Sequence, residues 1–123
     1  MKNKPQELTK AELEIMQVIW QKEKVLVHDI LAELPEPKPA YKTVSTIVRI
    51  LENKGFVSHK AYGRTYEYFP VVAKEDYTNT YMRTVLDNFF EGSISRMVNF
   101  FSAQKSISLE ETDEIMKILN GDK

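Results

Sequence analysis

The sequence predicts a mostly α fold with one small β-hairpin, arranged as an N-terminal domain over 1–71 and a three-helix domain over 72–123. Three observations predict it. Apolar residues recur at helical spacing in three short blocks up to residue 53. After Gly55 the period changes to alternation in two β-rich runs. Beyond Pro70 no strand pattern returns, and three further helical blocks fill the chain.

The first helix begins at Thr9, an N-cap with Glu12 three residues on, so that each side chain satisfies the other's otherwise orphan N–H. Leu8 before the cap and Leu13 at the fourth helical position add a hydrophobic staple, and Leu13, Met16, Ile19 and Trp20 give the inward stripe to about Gln21. A second helix spans roughly 27–34, with Val27, Ile30, Leu31 and Leu34 inward, and Pro35, Pro37 and Pro39 end it. The third, "YKTVSTIVRILEN", covers 41–53 and stops at Gly55 near the C′ position. "FVSHK" and "RTYEYF", joined by "AYG", then form a hairpin over 56–69 with Gly63 free to take positive φ. Three helices followed by a hairpin is the winged helix-turn-helix layout.

A short linker near 70–74 leads to a helix over about 74–90, broken at Glu91-Gly92. Ser93 caps a helix over 94–103, and Ser108 with Glu111 boxes the last. These helices carry more aromatic and aliphatic side chains than so small a unit can bury. Tyr77, Tyr81, Val85, Leu86, Phe89, Phe90, Met97, Phe101, Ile115 and Leu119 are therefore expected to find their core against a second copy, as a homodimer. The alternative is packing back onto the first domain.

Composition narrows the function. Apolar content of 42% supports a packed core, no apolar run approaches the roughly 18 residues of a membrane span, and "MKNKPQELTK" is unlike a secretory leader. The expectation is a cytoplasmic protein. Zero Cys removes disulfides and cysteine chemistry. The two His, His28 and His59, lie on different elements without a catalytic or metal-ligating set around them, so no enzyme activity, metal, cofactor or small-molecule substrate is expected.

Net charge of -1 conceals a basic block. Between 38 and 64 the cations are Lys38, Lys42, Arg49, Lys54, Lys60 and Arg64 against Glu52 alone, so six minus one gives +5. On the third helix Val44, Ile47, Val48 and Leu51 form one stripe. Lys42, Ser45, Thr46, Arg49 and Asn53 fall opposite it, and Thr43 stands at the boundary. A solvated face would show acid–base pairs at i,i+4; Lys42–Thr46, Ser45–Arg49 and Arg49–Asn53 have no acid member. Arg can bridge guanine O6 and N7, Asn can pair with adenine, and Ser/Thr hydroxyls serve bases or phosphates. With Lys60 and Arg64 at the hairpin tip, this face is expected to bind double-stranded DNA. The competing reading is a winged helix whose basic face docks an acidic protein, without sequence-specific DNA binding.

"LTKAELEIMQVIW" at 8–20, "KTVSTIVRILENKGFV" at 42–57 and "GRTYEY" at 63–68, in this order and spacing, resemble the penicillinase-repressor family of BlaI/MecI-type winged-helix repressors. The resemblance runs over nearly the whole chain. It implies a homodimer joined by the C-terminal helices, bound to a palindromic operator and repressing the genes behind it, among them antibiotic-resistance genes. It further implies inactivation by cleavage beside an Asn-Phe pair, here Asn99-Phe100, triggered by a membrane sensor with a metalloprotease domain. Two departures stand out. Ile50 occupies a position where the family often has Arg, with Arg49 preceding it; and the Cys-rich metal site of the related copper-responsive branch is absent.

Overall fold

The structure, a computed structural model, describes residues 7–105 and 107–119, with the Leu119 side chain outside the description. The chain divides into two compact units, Met1–Tyr77 and Thr78–Lys123.

The first unit is a three-helix winged-helix fold. Helix α1, Lys10–Lys22, starts as expected: Thr9 Oγ1 accepts from the Glu12 N–H at 3.1 Å and Glu12 Oε1 accepts from the Thr9 N–H at 2.9 Å. Its buried side is wider than the stripe anticipated, taking in Ile15 and Val18 beside Met16 and Ile19, because α1 is packed by α2, α3 and the hairpin at once. Leu13 and Trp20 are only partly buried, and the Trp20 indole N–H donates to the Val72 carbonyl at 2.8 Å.

Helix α2, Val27–Glu33, stops one residue short of the expected end, since Leu34 precedes Pro35 and turns extended (φ −78°, ψ 150°). Three carbonyls at that end, of Leu31, Ala32 and Leu34, accept from the Lys38 ammonium at 3.2, 3.1 and 2.6 Å. Helix α3, Tyr41–Asn53, has the expected range, and Gly55 takes φ 86° behind it. Val44, Val48 and Leu51 are fully buried against α1, α2 and β1; Ile47 is partly so.

Strands β1, Val57–Tyr62, and β2, Thr65–Pro70, pair antiparallel from Val57↔Pro70 to Tyr62↔Thr65. They run closer together than the sequence suggested: Ala61 and Tyr62 are strand, and the turn is the two residues Gly63 and Arg64. Gly63 at φ 64° occupies the first central position, where a type II′ hairpin turn takes glycine. An isolated antiparallel bridge, Val25↔Tyr68, lies on the edge of β2 away from β1; Val25 N–H donates to the Tyr68 carbonyl at 2.9 Å and Tyr68 N–H returns the bond at 2.7 Å. One residue between two helices carries no periodicity, so this rung left no mark in the sequence.

Helix α4, Lys74–Phe89, opens in the first unit. Tyr77, expected at a dimer interface, instead closes the first unit's core: it is buried, its hydroxyl accepts from the Leu8 N–H at 2.9 Å, and its ring meets Trp20 and Phe56.

The second unit continues α4 and adds α5, Ile94–Ala103, and α6, Leu109–Leu119. Ser93 Oγ accepts from the Arg96 N–H at 3.1 Å, and Ser108 with Glu111 makes the reciprocal pair predicted for α6, at 3.0 and 3.1 Å. Among its described residues only Leu86 and Val98 are fully buried.

Candidate nucleic-acid interface

The winged helix turns one face of α3 outward because the other is locked in the core by Val44, Val48 and Leu51. On that outer face Lys42, Thr43, Thr46, Arg49 and Asn53 are exposed, and Ser45 is half-buried at its edge. Lys60 and Arg64 are exposed on the wing. The register separates those two. Lys60 shares a hairpin face with Tyr62, its ammonium 5.4 Å from that ring, whereas His59, Tyr66 and Tyr68 lie on the other face, the one turned to α3. Arg64 sits in the turn itself.

The +5 block resolves into two kinds of cation. Lys38 is spent on the end of α2. Lys54 is paired with Glu12, its ammonium 3.0 and 2.9 Å from the two carboxylate oxygens, on side chains 23% and 8% exposed. Burial alone would raise the Glu12 carboxyl; the Thr9 N–H and the Lys54 ammonium outweigh it and hold the group below its ordinary value. The remaining four, Lys42, Arg49, Lys60 and Arg64, have no acid in ion-pair range among the described residues.

Glu52 is also engaged. Its Oε2 accepts from His59 Nδ1–H at 2.7 Å, and the imidazole stacks on Tyr66 with centroids 4.2 Å apart and planes 18° off parallel. Tyr68 lies beneath, 5.4 Å from the imidazole. Burial pushes the Tyr68 hydroxyl up, Glu52 adds to that, and Arg49 opposes it. Sequence reasoning missed this cluster. The signal was Glu52 itself, the one acid in a basic block, with an imidazole seven residues on. It also missed His28 against Tyr41, centroids 4.6 Å apart beside the start of α3.

In the second unit, Val85, Phe90, Met97 and Ile115 are half-buried and Leu86 buried, while Tyr81, Phe89 and Phe101 are exposed, Phe89 to 74%. The Leu119 side chain lies outside the described residues. Asn99 and Phe100 are exposed on α5 and, with Phe89, Phe90, Glu91 and Arg96, line an open hollow. Among the described residues no helix is long and apolar enough to cross a membrane.

A helix-turn-helix whose third helix presents hydroxyls and free cations, flanked by a two-stranded wing, places the first unit in the winged helix-turn-helix class. The sequence profile described as "Penicillinase repressor" matches residues 8–121, and the chain belongs to that family of transcriptional repressors. It is 32% identical to the penicillinase repressor of Bacillus licheniformis over 97% of this chain and 93% of that one. It is 28% identical to the methicillin resistance regulatory protein MecI of Staphylococcus aureus (strain N315) over 98% of both. Among solved structures it is similar to the DNA-binding domain of the repressor BlaI, at TM-score 0.52 and 35% identity over 63% of this chain and 94% of that one. The monomeric form of Bacillus licheniformis BlaI in complex with the blaP half-operator matches at TM-score 0.50, with the same identity and coverage.

Proposed function

We propose that this protein is a cytoplasmic, homodimeric repressor that binds a palindromic DNA operator through α3 and the wing. The observation that carries the reading is the sorting of charge within the basic block: of its six cations between residues 38 and 64, the four without an acid partner among the described residues, Lys42, Arg49, Lys60 and Arg64, belong to α3 and the wing. Thr43, Thr46 and Asn53 supply base- and phosphate-bonding groups beside them. The half-operator complex of the similar BlaI domain supports a DNA ligand for this surface.

Dimerisation is supported by the second unit, where among the described residues apolar side chains greatly outnumber the two that are buried. A second copy covering Phe89, Phe101 and their neighbours joins two recognition helices and multiplies their grip on paired half-sites. Family resemblance supports inactivation by proteolysis at Asn99-Phe100 after signalling from a membrane metalloprotease sensor. The pair is exposed but lies inside α5, so cleavage requires the last turns of that helix to open.

Fluorescence anisotropy on a duplex selected by the protein from randomised DNA, titrated with salt, tests the reading. Two copies bring eight of these α3 and wing cations, so log K should fall against log salt with a slope of about −7 if each meets a phosphate, and less steeply by one for each that reads a base instead. Arg49→Ala should cost about 1–3 kcal/mol and relax preference at one base pair. Flat, sequence-blind binding would overturn the repressor reading and favour a protein-docking module.

A further inference from the structure

Glu52 is placed where a carboxylate does harm to DNA recognition. It follows Arg49 by three positions on α3, so the two side chains are neighbours on the helix surface, where acid and base pair readily. An Arg49–Glu52 pair would tie up the guanidinium donors that a base edge or phosphate needs, and a free carboxylate beside them would repel phosphate.

The structure sends Glu52 the other way. Its Oε2 meets His59 Nδ1 at 2.7 Å, and both side chains are 28% exposed, so the bond is partly shielded from water. The imidazole has little freedom to release it: one face is stacked on Tyr66, and Tyr68, itself buried and bonded to Val25 on both backbone groups, stands 5.4 Å away. Arg49 is left exposed with no acid in ion-pair range among the described residues.

We propose that His59 is a positioning residue for operator recognition: by holding the Glu52 carboxylate against the wing it keeps that carboxylate off Arg49 and leaves the guanidinium free to read DNA. The inference rests on the DNA-binding reading above. It makes the wing part of base recognition without contact to a base, because β1 supplies the donor that disarms the acid on α3.

His59→Phe keeps the ring stack on Tyr66 and removes the donor; His59→Asn keeps an amide N–H near the position of Nδ1–H. Each, together with Glu52→Gln and the His59→Phe/Glu52→Gln pair, is tested in the full chain by anisotropy on the duplex selected by the unaltered protein and on its single-base variants. His59→Phe should lose about tenfold in affinity and relax preference at the same base pair as Arg49→Ala. His59→Asn should retain both properties. The double variant should regain them, since without a carboxylate nothing competes for Arg49. A merely structural role for His59 predicts no such rescue. The inference is overturned if His59→Phe binds like the unaltered protein, or if its defect persists in the double variant. Should His59→Phe melt below the assay temperature by circular dichroism, Glu52→Gln alone decides: unchanged or tighter binding supports the inference, and a tenfold loss overturns it. If the unaltered chain selects no sequence at all, the DNA-binding reading itself has failed, which is a separate and recognisable result.

Discussion

Lys54→Met offers a direct measurement of what holds the recognition helix to the scaffold. Glu12 is 6% exposed and closes the capping box at the start of α1, while Lys54 forms the C-cap of α3, so their ion pair pins one end of each helix together. Methionine keeps the aliphatic stem and removes only the charge, leaving the buried carboxylate without its cation. Breaking a fully buried pair in this way costs about 3–5 kcal/mol. Here Lys54 is 23% exposed and Glu12 keeps the Thr9 N–H, so about 2 kcal/mol is the expected loss at pH 7, or about 10 °C in Tm for a unit of this size. The pH dependence gives a second handle. In the unaltered protein the Glu12 carboxyl is held below its ordinary value, so its stabilisation is present above the unfolded-state pKa and is lost as pH falls through the lower folded-state value. In Lys54→Met burial meets less opposition, and protonating Glu12 relieves the strain of an unpaired charge. The stability gap between the two proteins should therefore narrow by more than half between pH 7 and pH 3. Urea unfolding followed by circular dichroism at both values reads it. A gap under about 0.5 kcal/mol at pH 7, or one equally large at pH 3, refutes the reasoning.

Two further perturbations follow from single contacts. Trp20→Phe retains the aromatic packing on Tyr77 but leaves the Val72 carbonyl without the indole N–H, and should cost about 1 kcal/mol in urea unfolding; no change would mean water replaces the donor freely. Truncation after Phe90 removes α5 and α6, and should leave a folded, monomeric N-terminal part by light scattering; a persistent dimer would contradict the assignment of the interface to the C-terminal helices.

Much of the fold was legible because local chemistry and global packing agree along this chain. Thr9 with Glu12, Ser93, and Ser108 with Glu111 each announced a helix start that the structure forms with the predicted bonds. Gly55 and Gly63 announced a stop and a turn that both use positive φ. Features that depend on partners distant in sequence were not legible. The Val25↔Tyr68 rung, the Trp20–Val72 bond and the Glu12–Lys54 pair join residues 42 to 52 positions apart, and no periodicity encodes such distances. Tyr77 illustrates the same limit. Its place in the apolar pattern of α4 is indistinguishable from that of Leu86, yet it packs on Trp20 and Phe56 in the first unit's core.

Charge is where that limit matters most for function. Counting residues 38–64 gave six cations and one acid, and the count was right while its meaning was incomplete. Lys38 and Lys54 are consumed by the end of α2 and by Glu12, which is ordinary structural work for lysine. Subtracting them lowers the apparent basicity but sharpens its location, because the four cations that remain all fall on α3 or the wing. The Glu52–His59 bond acts in the same direction by removing the one acid from the reach of Arg49. A helix whose basic groups are merely solvated has no reason to sequester its one acid, Glu52, against an imidazole; a helix that must offer a guanidinium to a base edge does. The internal pairing of charges is thus as informative about the ligand as the charges left outside.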